Sequence, residues 1–339
     1  MIRIHGQIEP LGGKIVSAEL IQTMLAEIMD DEARERLARD RDVDFAYEVP
    51  GVLRVRCNVF YLHVGIAAAF RVLPSKIFTV EDLGLPPLLT QLTEIKRGLV
   101  VVTGPPGSGK STTLAALLDH INRNQRKHIL TIEDPIEYRH SNLKSMITHR
   151  EVGRHSPTFE RALRAALRED PDVIMVGEIR DAETMALALT AAATGQLVFA
   201  TLHTPSASQT VDRIIDSFDG DRQTQVRVML AESLRCVVAQ RLLRRADTPG
   251  RVLALEVLVG TYAVAAMVRE RKTFQLQSVM QTGRKEGMQT LDDAIARLVR
   301  DRVVSLEEAQ VYLATRDPLG ARPAAGSTPP PPEPGAEAA

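Results

Sequence analysis

The feature that most constrains this chain is a glycine-rich octapeptide between a short apolar run and a helix-forming segment. It fits the pattern GxxxxGK[ST] and consists of Gly104, Pro105, Pro106, Gly107, Ser108, Gly109, Lys110 and Ser111. The apolar run Leu99–Thr103 precedes it, and we predict a helix over Thr112–Arg123 after it. Because phosphate-binding loops occur in this strand–loop–helix context, we interpret the octapeptide as one.

Each residue type in the loop has a chemical reason to be there. Glycines permit positive φ and close backbone approach to phosphate oxygens, and the helix N-terminus supplies N–H donors. Lys110 is expected to reach the β- and γ-phosphates, and the Ser111 hydroxyl is expected to bind Mg²⁺. Thr112 is included in the predicted nucleotide site. The alternative is a glycine-rich loop that matches by chance, which the strand and helix around it disfavour.

The segments after the loop alternate between apolar runs and helical patterns, which predicts an α/β fold with a parallel sheet covered by helices. The predicted strands are Leu99–Thr103, His128–Glu133, Val173–Gly177 and Leu197–Thr201. A helix is predicted over Thr158–Glu169, with Ser156 as its cap. The first part of the chain instead predicts one long helix, at Ala18–Arg39, and four strands, at Ile2–Ile8, Asp44–Glu48, Val52–Phe60 and Ile66–Val72.

The chain divides by pattern and composition into five segments. They are an N-terminal mixed domain (1–85), a linker (86–97), an α/β core (98–249), a mostly helical region (250–317) and a Pro-rich tail expected to be disordered (318–339).

Charge, cysteine content and hydropathy exclude several classes of protein. The net charge of −1 does not predict a nucleic-acid-binding protein. Two distant cysteines, Cys57 and Cys236, do not form a metal-ligand pattern and are expected to be reduced, buried thiols. The uncharged stretch Met185–Leu202 contains Thr194-Gly195-Gln196, so we predict a helix, a turn and a buried strand there. No transmembrane segment is expected.

Acidic residues and a histidine follow the predicted strands. Glu133 and Asp134 follow one strand, Glu178 follows another, and His203 follows the last. In α/β proteins such positions meet at the carboxyl edge of the sheet, where a carboxylate holds the Mg²⁺ shell or orients an attacking water. Alone, such carboxylates are more often helix caps or solvated turns, and a lone histidine is usually structural.

Together these motifs resemble the secretion and pilus ATPase superfamily, and within it the PilT family of retraction ATPases, across roughly residues 1–316. Four segments correspond to the family's Walker A motif, Asp box, Walker B motif and His box: GPPGSGKSTTLAALLD, HILTIEDPIEY, ALREDPDVIMVGEIRDAET and ALTAAATGQLVFATLHT. The resemblance implies a PAS-like N-terminal α+β domain, a RecA-like P-loop ATPase domain with a helical C-terminal region, ATP and Mg²⁺ as ligands, and a homohexamer.

The resemblance also implies roles for individual residues. Glu133, Asp134 and Glu178 would serve water activation and Mg²⁺ binding, with Ser111, Asp134 and Glu178 around the metal, partly through water. His203 would sense the γ-phosphate. Arg56 and Arg71 of the first domain would offset transition-state charge, as arginine fingers do; the alternative for each is a surface salt bridge.

Further details concern the subtype. The chain lacks the tetracysteine site of assembly and secretion ATPases, and Gly287–Asp292 (GMQTLD) resembles the retraction type. It departs from the family at Val64, where an arginine is usual, and at Ala263–Val268, which lacks the arginine and asparagine of the family's AIRNLI motif. The family's first helix and strand are expected to be missing.

The predicted function is a cytoplasmic ATPase, peripheral to the inner face of the membrane, that acts on an inner-membrane platform protein to retract a type IV pilus. A paralogous retraction ATPase is a further candidate partner. One alternative is an accessory paralogue, or a motor for secretion or DNA uptake. Another is a nucleotide-binding regulator with little turnover. A DNA translocase is disfavoured by the near-neutral charge.

Overall fold

The computed structural model describes residues 1–4, 7–10, 12–13, 15–74 and 76–313. These residues form two compact units. The first contains Met1–Asp82 and Ser111–Ile179, and the second contains Leu83–Lys110 and the chain from Arg180 onward. The predicted domain bounds follow a different division and stay a prediction. The Pro-rich segment 318–339 lies outside the described residues.

Strands and helices follow one another along the whole described chain. The strands are β1 (Ile2–Ile4), β2 (Gln7–Glu9), β3 (Asp42–Val49), β4 (Leu53–Leu62), β5 (Gly65–Leu73), β6 (Gly98–Thr103), β7 (His128–Glu133), β8 (Met146–Glu151), β9 (Val173–Val176), β10 (Leu197–Leu202), β11 (Leu234–Arg244) and β12 (Arg251–Val259). The helices are α1 (Ala18–Ile28), α2 (Asp31–Asp40), α3 (Pro87–Gln91), α4 (Lys110–Asn124), α5 (Phe159–Ala166), α6 (Ala182–Thr194), α7 (Ala207–Asp216), α8 (Gly220–Ser233), α9 (Tyr262–Arg269), α10 (Leu276–Thr282), α11 (Leu291–Arg300) and α12 (Leu306–Gln310).

The first unit contains the antiparallel pair β1-β2, where a single strand over Ile2–Ile8 is predicted, and the antiparallel sheet β3-β4-β5, which confirms the other three predicted strands. The single helix predicted over Ala18–Arg39 is wrong. The structure has α1 and α2 instead, because the Asp30 side chain accepts a hydrogen bond from Ala33 N at 2.9 Å and starts a new helix. A small core joins these helices to the sheet; it contains Leu25, Met29, Ala33, Leu37, Val43 and Val59.

The same unit contains three parallel strands in the order β9-β7-β8. We did not predict β8, whose sequence MITHRE is polar and carries no clear alternation. The helix α5 begins at Phe159, and its cap is Thr158 rather than Ser156. The Thr158 hydroxyl accepts from Arg161 N at 3.1 Å. Arg161 is the third residue of the helix, which is the position whose N–H a capping side chain typically binds.

The second unit contains four strands in the order β12-β11-β6-β10. Strand β6 lies between the parallel strands β10 and β11, and all residues of β6 and β10 are buried. The prediction of a mostly helical segment from residue 250 is wrong at its start, where β12 pairs antiparallel with β11. The valines and leucines of β12 favour a buried strand, and helices follow it from Tyr262 onward.

The uncharged stretch Met185–Leu202 is divided as predicted. Helix α6 ends at Thr194, Gly195 adopts a φ of 151°, and β10 begins at Leu197. No helix in the described part of the chain is long and apolar enough to cross a membrane.

Both cysteines are free and buried, as predicted. Burial raises the pKa of Cys57 to about 11 and that of Cys236 to about 12. Both side chains therefore stay protonated thiols at neutral pH and act as small apolar groups in the core.

Candidate active site

The phosphate loop occupies the space between the end of β6 and the start of α4. Gly104 has a φ of 141°, and a Cβ at this position would lie 2.5 Å from the carbonyl oxygen of Gln240 on the neighbouring strand β11. Only glycine therefore fits at the start of the loop. The loop ends at Lys110, the first residue of α4. The backbone N–H groups of the loop therefore lie next to the unpaired N–H groups at the N-terminal end of this helix.

The lysine of the loop is folded back onto its own loop. Lys110 is buried, and its Nζ donates to Gly104 O at 2.9 Å and to Pro105 O at 3.1 Å. The same Nζ lies 3.2 Å from Nδ1 of His203. Because an ammonium group only donates, Nδ1 is the acceptor in this contact. The second unit thus brings together two residues that were predicted to act on the same phosphate.

The position of His203 follows from strand pairing. Strand β10 pairs in parallel with β6 so that Leu202 lies opposite Thr103, and His203 is therefore level with the start of the loop. Thr204, the residue after His203, is held by Thr103. The Thr103 Oγ1 accepts from Thr204 N at 2.9 Å and donates to Thr204 O at 2.8 Å. The His203 ring is exposed, so it is accessible to a ligand.

Gln240 contacts the loop and was missed by the sequence analysis. It is fully buried on β11, and its Nε2 donates to Ser108 O at 2.6 Å. The signal that points to it is a lone amide within the apolar run VVAQRLL, because a buried polar side chain requires a partner.

In the first unit, the acidic residues follow adjacent parallel strands. Glu133 ends β7, and Gly177 and Glu178 follow β9, which pairs with β7. Gly177 N donates to Ile132 O at 2.8 Å. A Cβ on Gly177 would lie 3.2 Å from Ile132 O and 3.4 Å from the Glu133 Cα, so the two strand ends pass closely. This pairing places Glu133, Asp134 and Glu178 at one edge of the strands.

Glu133 is the most buried of these carboxylates, at 7% exposure. Its Oε2 accepts from Glu137 N at 3.1 Å. Its Oε1 is buried without a hydrogen-bond partner among the described residues, and His149 Nδ1 lies 3.7 Å from it. The carboxylate therefore keeps one oxygen available to a water or another ligand.

Thr112 makes a contact that we did not foresee. Its hydroxyl lies 2.8 Å from the hydroxyl of Tyr138, a buried residue of the loop after β7. Burial raises the pKa of Tyr138, so the phenol stays protonated. Tyr138 thereby links the first turn of α4 to the segment that carries Glu133 and Asp134.

The two predicted arginines lie directly opposite each other on neighbouring strands, Arg56 on β4 and Arg71 on β5. Arg56 donates to both carboxylate oxygens of Asp44, at 3.2 and 3.1 Å. This hydrogen bonding raises the pKa of Arg56, and the negative charges of Asp134 and Glu137 raise it further. Arg56 is thus close enough to the acidic edge to interact with it, and it is also part of a salt bridge.

Arg54 is a third arginine on this sheet, and the sequence analysis assigned it no role. It lies two residues before Arg56 and so on the same face of β4. Burial lowers its pKa, as does the positive charge of Arg139, whereas Glu151, Glu48 and Glu133 act in the opposite direction. The sequence does not distinguish Arg54 from Arg56, because both are polar residues at alternate positions of the same strand.

These residues fit a nucleotide phosphate and a divalent cation. The loop has the backbone shape and the lysine that phosphate binding needs, and the Gly104 position admits no side chain. Within the first unit, Ser111, Asp134 and Glu178 carry hydroxyl and carboxylate oxygens of the kind that Mg²⁺ prefers.

Comparison with known proteins agrees with this chemistry. Residues 3–249 match the family described as "Type II/IV secretion system protein". The chain is 48% identical over 310 residues to a "Twitching motility protein" of Neisseria gonorrhoeae, which covers 91% of this chain and 83% of that protein. It is 47% identical over 310 residues to the "Type IV pilus retractation ATPase PilT" of Pseudomonas aeruginosa, covering 91% and 90%.

A solved structure shows the same fold. The crystal structure of the pilus retraction motor PilT with bound ADP superposes with a TM-score of 0.86 at 43% identity, covering 94% of this chain and 91% of that chain. The similarity confirms the predicted α/β ATPase fold with an N-terminal domain. The chain therefore belongs to the Type II/IV secretion system protein family, and within that family it is similar to the PilT retraction ATPases.

Proposed function

We propose that this protein is an ATP-hydrolysing motor that retracts type IV pili. The observation that carries the proposal is the contact between Lys110 and His203, which joins the phosphate loop to a strand end in a chain 47% identical to PilT. A lysine between loop carbonyls and a histidine is in position to exchange these partners for a phosphate oxygen.

In this proposal the loop holds the nucleotide. The backbone N–H groups of the non-proline residues from Gly104 to Thr112 donate to phosphate oxygens, with Pro105, Pro106 and Ser108 setting the shape of the turn. Lys110 pairs with the terminal phosphates, and the Ser111 hydroxyl is a Mg²⁺ ligand. Bound Mg²⁺ supplies positive charge that offsets the charge of the phosphates during transfer.

The acidic edge and the arginines perform the hydrolytic chemistry. Glu133, with its buried oxygen lacking a partner, and Glu178 orient the attacking water and accept its proton. Asp134 and Glu178 complete the metal shell, partly through water. His203 contacts the terminal phosphate, and Arg56 and Arg71 offset the charge that develops in the transition state.

The assembly and the setting belong to the same proposal. A homohexamer acts at the cytoplasmic face of the membrane on an inner-membrane platform protein, with a paralogous retraction ATPase as a possible further partner. Closure around ATP and opening after hydrolysis would produce a mechanical stroke, because a ligand favours the conformation that it contacts best.

The test is Mg²⁺-dependent ATP hydrolysis by the purified protein and by its Lys110→Ala variant. We expect turnover in the wild type and a loss of at least a hundredfold in the variant, on the order expected for removal of a phosphate-binding charge. Near-normal hydrolysis by Lys110→Ala would overturn the site. Binding of ATP by the wild type without turnover would support the regulator instead.

An accessory motor is the second candidate, and one observation favours it. The segment Ala263–Val268 lies on α9 and lacks the polar residues of the family's retraction motif. The identity of 37% to the ATPase PilU of Pseudomonas aeruginosa is lower than the identity to PilT, which favours the main motor. Complementation of a strain lacking its retraction ATPase distinguishes the two: a main motor restores twitching alone, whereas an accessory motor does not.

A further inference from the structure

Gln240 has no role in the proposed chemistry, yet it is a fully buried polar residue beside the phosphate loop. It lies on β11, which pairs in parallel with β6 so that Ala239 is opposite Thr103. Gln240 is therefore level with Gly104, the first residue of the loop. Its neighbours Val237, Val238 and Ala239 are buried and apolar.

The loop contacts this residue at three positions. Gln240 Nε2 donates to Ser108 O at 2.6 Å. A Cβ on Gly104 would lie 2.5 Å from Gln240 O, and a Cβ on Gly109 would lie 3.3 Å from Nε2. The loop thus lies directly against Gln240 at its beginning and near its end, where a Cβ is excluded at Gly104 and crowded at Gly109.

The hydrogen bond fixes the direction of a peptide group. A trans peptide is planar, and its C=O and N–H point in opposite directions. Because the Ser108 carbonyl points to Gln240, the N–H of Gly109 points away from β11. That N–H belongs to the set of backbone donors that phosphate-binding loops direct at their ligand. If the carbonyl lost its partner, the peptide would be free to rotate, which glycine at 109 permits.

Stability does not explain this residue. The Gln240 Oε1 is buried and has no hydrogen-bond partner in the described part of the chain. A buried amide with a polar atom left unpaired is less favourable than an apolar side chain of similar size. A residue that is unfavourable for the fold and bonded to a ligand-binding loop is best explained by the loop.

We propose that Gln240 is a positioning residue that holds the Ser108–Gly109 peptide in the orientation that binds the β-phosphate of a nucleoside diphosphate or triphosphate. The inference rests on the proposed nucleotide binding. It assigns Gln240 no contact with the nucleotide and no part in the chemical step.

The test compares the affinities of MgADP and AMP for the wild type and for Gln240→Met, which keeps the length of the side chain and removes the donor. We expect the Kd for MgADP to rise about tenfold, the effect of one well-placed hydrogen bond. AMP lacks the β-phosphate, so its Kd changes less, and the preference for MgADP over AMP falls. Isothermal titration calorimetry measures both values without requiring turnover.

The matched control is Gln289→Met. Gln289 Nε2 also donates to a strand carbonyl, Leu255 O at 2.8 Å, but it does not contact the loop. We expect the preference of this variant for MgADP over AMP to stay at the wild-type value. A preference that is unchanged in folded Gln240→Met, or that falls equally in both variants, would overturn the inference.

Failure of the proposed function and failure of this inference give different results. If the wild type does not bind MgADP, the proposed function fails and the inference fails with it. If wild type binds MgADP and Gln240→Met does not fold, Gln240→Leu replaces it, because leucine is apolar and also lacks a donor toward Ser108 O. Wild-type preference for MgADP in folded Gln240→Leu would overturn the inference alone.

Discussion

At the scale of single residues, the site is made of charges held by specific partners. The Lys110 ammonium is buried but satisfied by two loop carbonyls and the His203 ring. A buried cation without such partners would be costly, so these acceptors offset the cost of burying the ammonium group. A phosphate oxygen is a stronger acceptor than a carbonyl, and the exchange therefore favours binding.

The residue that separates binding from hydrolysis is Glu178. We expect Glu178→Gln to bind nucleotide with near wild-type affinity and to lose turnover by about a hundredfold or more, because an amide does not accept the proton of the attacking water. Binding of MgADP by calorimetry and phosphate release in single turnover measure the two effects. Equal loss of binding would show that Glu178 is a metal anchor or a structural residue instead.

Sequence reasoning reached the loop and the strand-end residues because their chemistry depends on local order along the chain. Lys110 begins the helix after the loop, Glu133 ends β7 and His203 follows β10, and the pattern of apolar runs locates these strand ends. Gln240 received no role because it lies on a strand with no motif of its own. Tyr138 ends the segment that resembles the Asp box, but its contact with Thr112 depends on the tertiary structure.

At the scale of elements, strand β8 is attached to the loop after β7 through two histidines, His149 on β8 and His140 in the loop. His149 on β8 stacks against His140, with ring centroids 5.9 Å apart. His149 Nε2 accepts from His140 N at 3.1 Å, and its Nδ1 lies 2.8 Å from Thr131 Oγ1. These contacts attach the loop after β7, which carries the acidic residues, to β8.

This packing predicts a pH-dependent stability. Burial lowers the pKa of His140 to about 4, with His149 adding to the shift and Asp119 opposing it. Between about pH 6.5 and about pH 4 the unfolded chain binds a proton that the folded chain does not, so the free energy of unfolding falls as pH falls through this window. The contribution is about 3 kcal/mol when fully developed.

Urea unfolding of wild type and His140→Asn at pH 7.5 and pH 4.5 measures this effect. We expect the wild type to lose about 2 kcal/mol more than the variant between these pH values, since the variant has no imidazole to protonate. His63→Asn, at an exposed position, is the matched control and should follow the wild type. Parallel losses in wild type and His140→Asn would contradict the prediction.

At the scale of the whole molecule, the proposed motor requires an assembly. We expect ATP turnover per protomer to follow the hexamer peak in gel filtration and to fall in fractions of lower mass, because a ring motor acts through neighbouring copies. Turnover measured across the elution profile, with mass from light scattering, tests this. A monomer with the same specific activity as the largest species would show that assembly is not required for catalysis.

The sequence by itself determined the phosphate loop, the parallel strands around it and the family, because these depend on local spacing and on backbone chemistry that few residue types provide. The tertiary structure decided the rest. It placed β12 where helices were expected, since pairing with β11 outweighs local propensity. It divided one predicted helix at Asp30, and it set Arg56 opposite Arg71 through strand register. It also brought Gln240 beneath the loop, because contacts between segments distant along the chain depend on strand order, which local patterns do not encode.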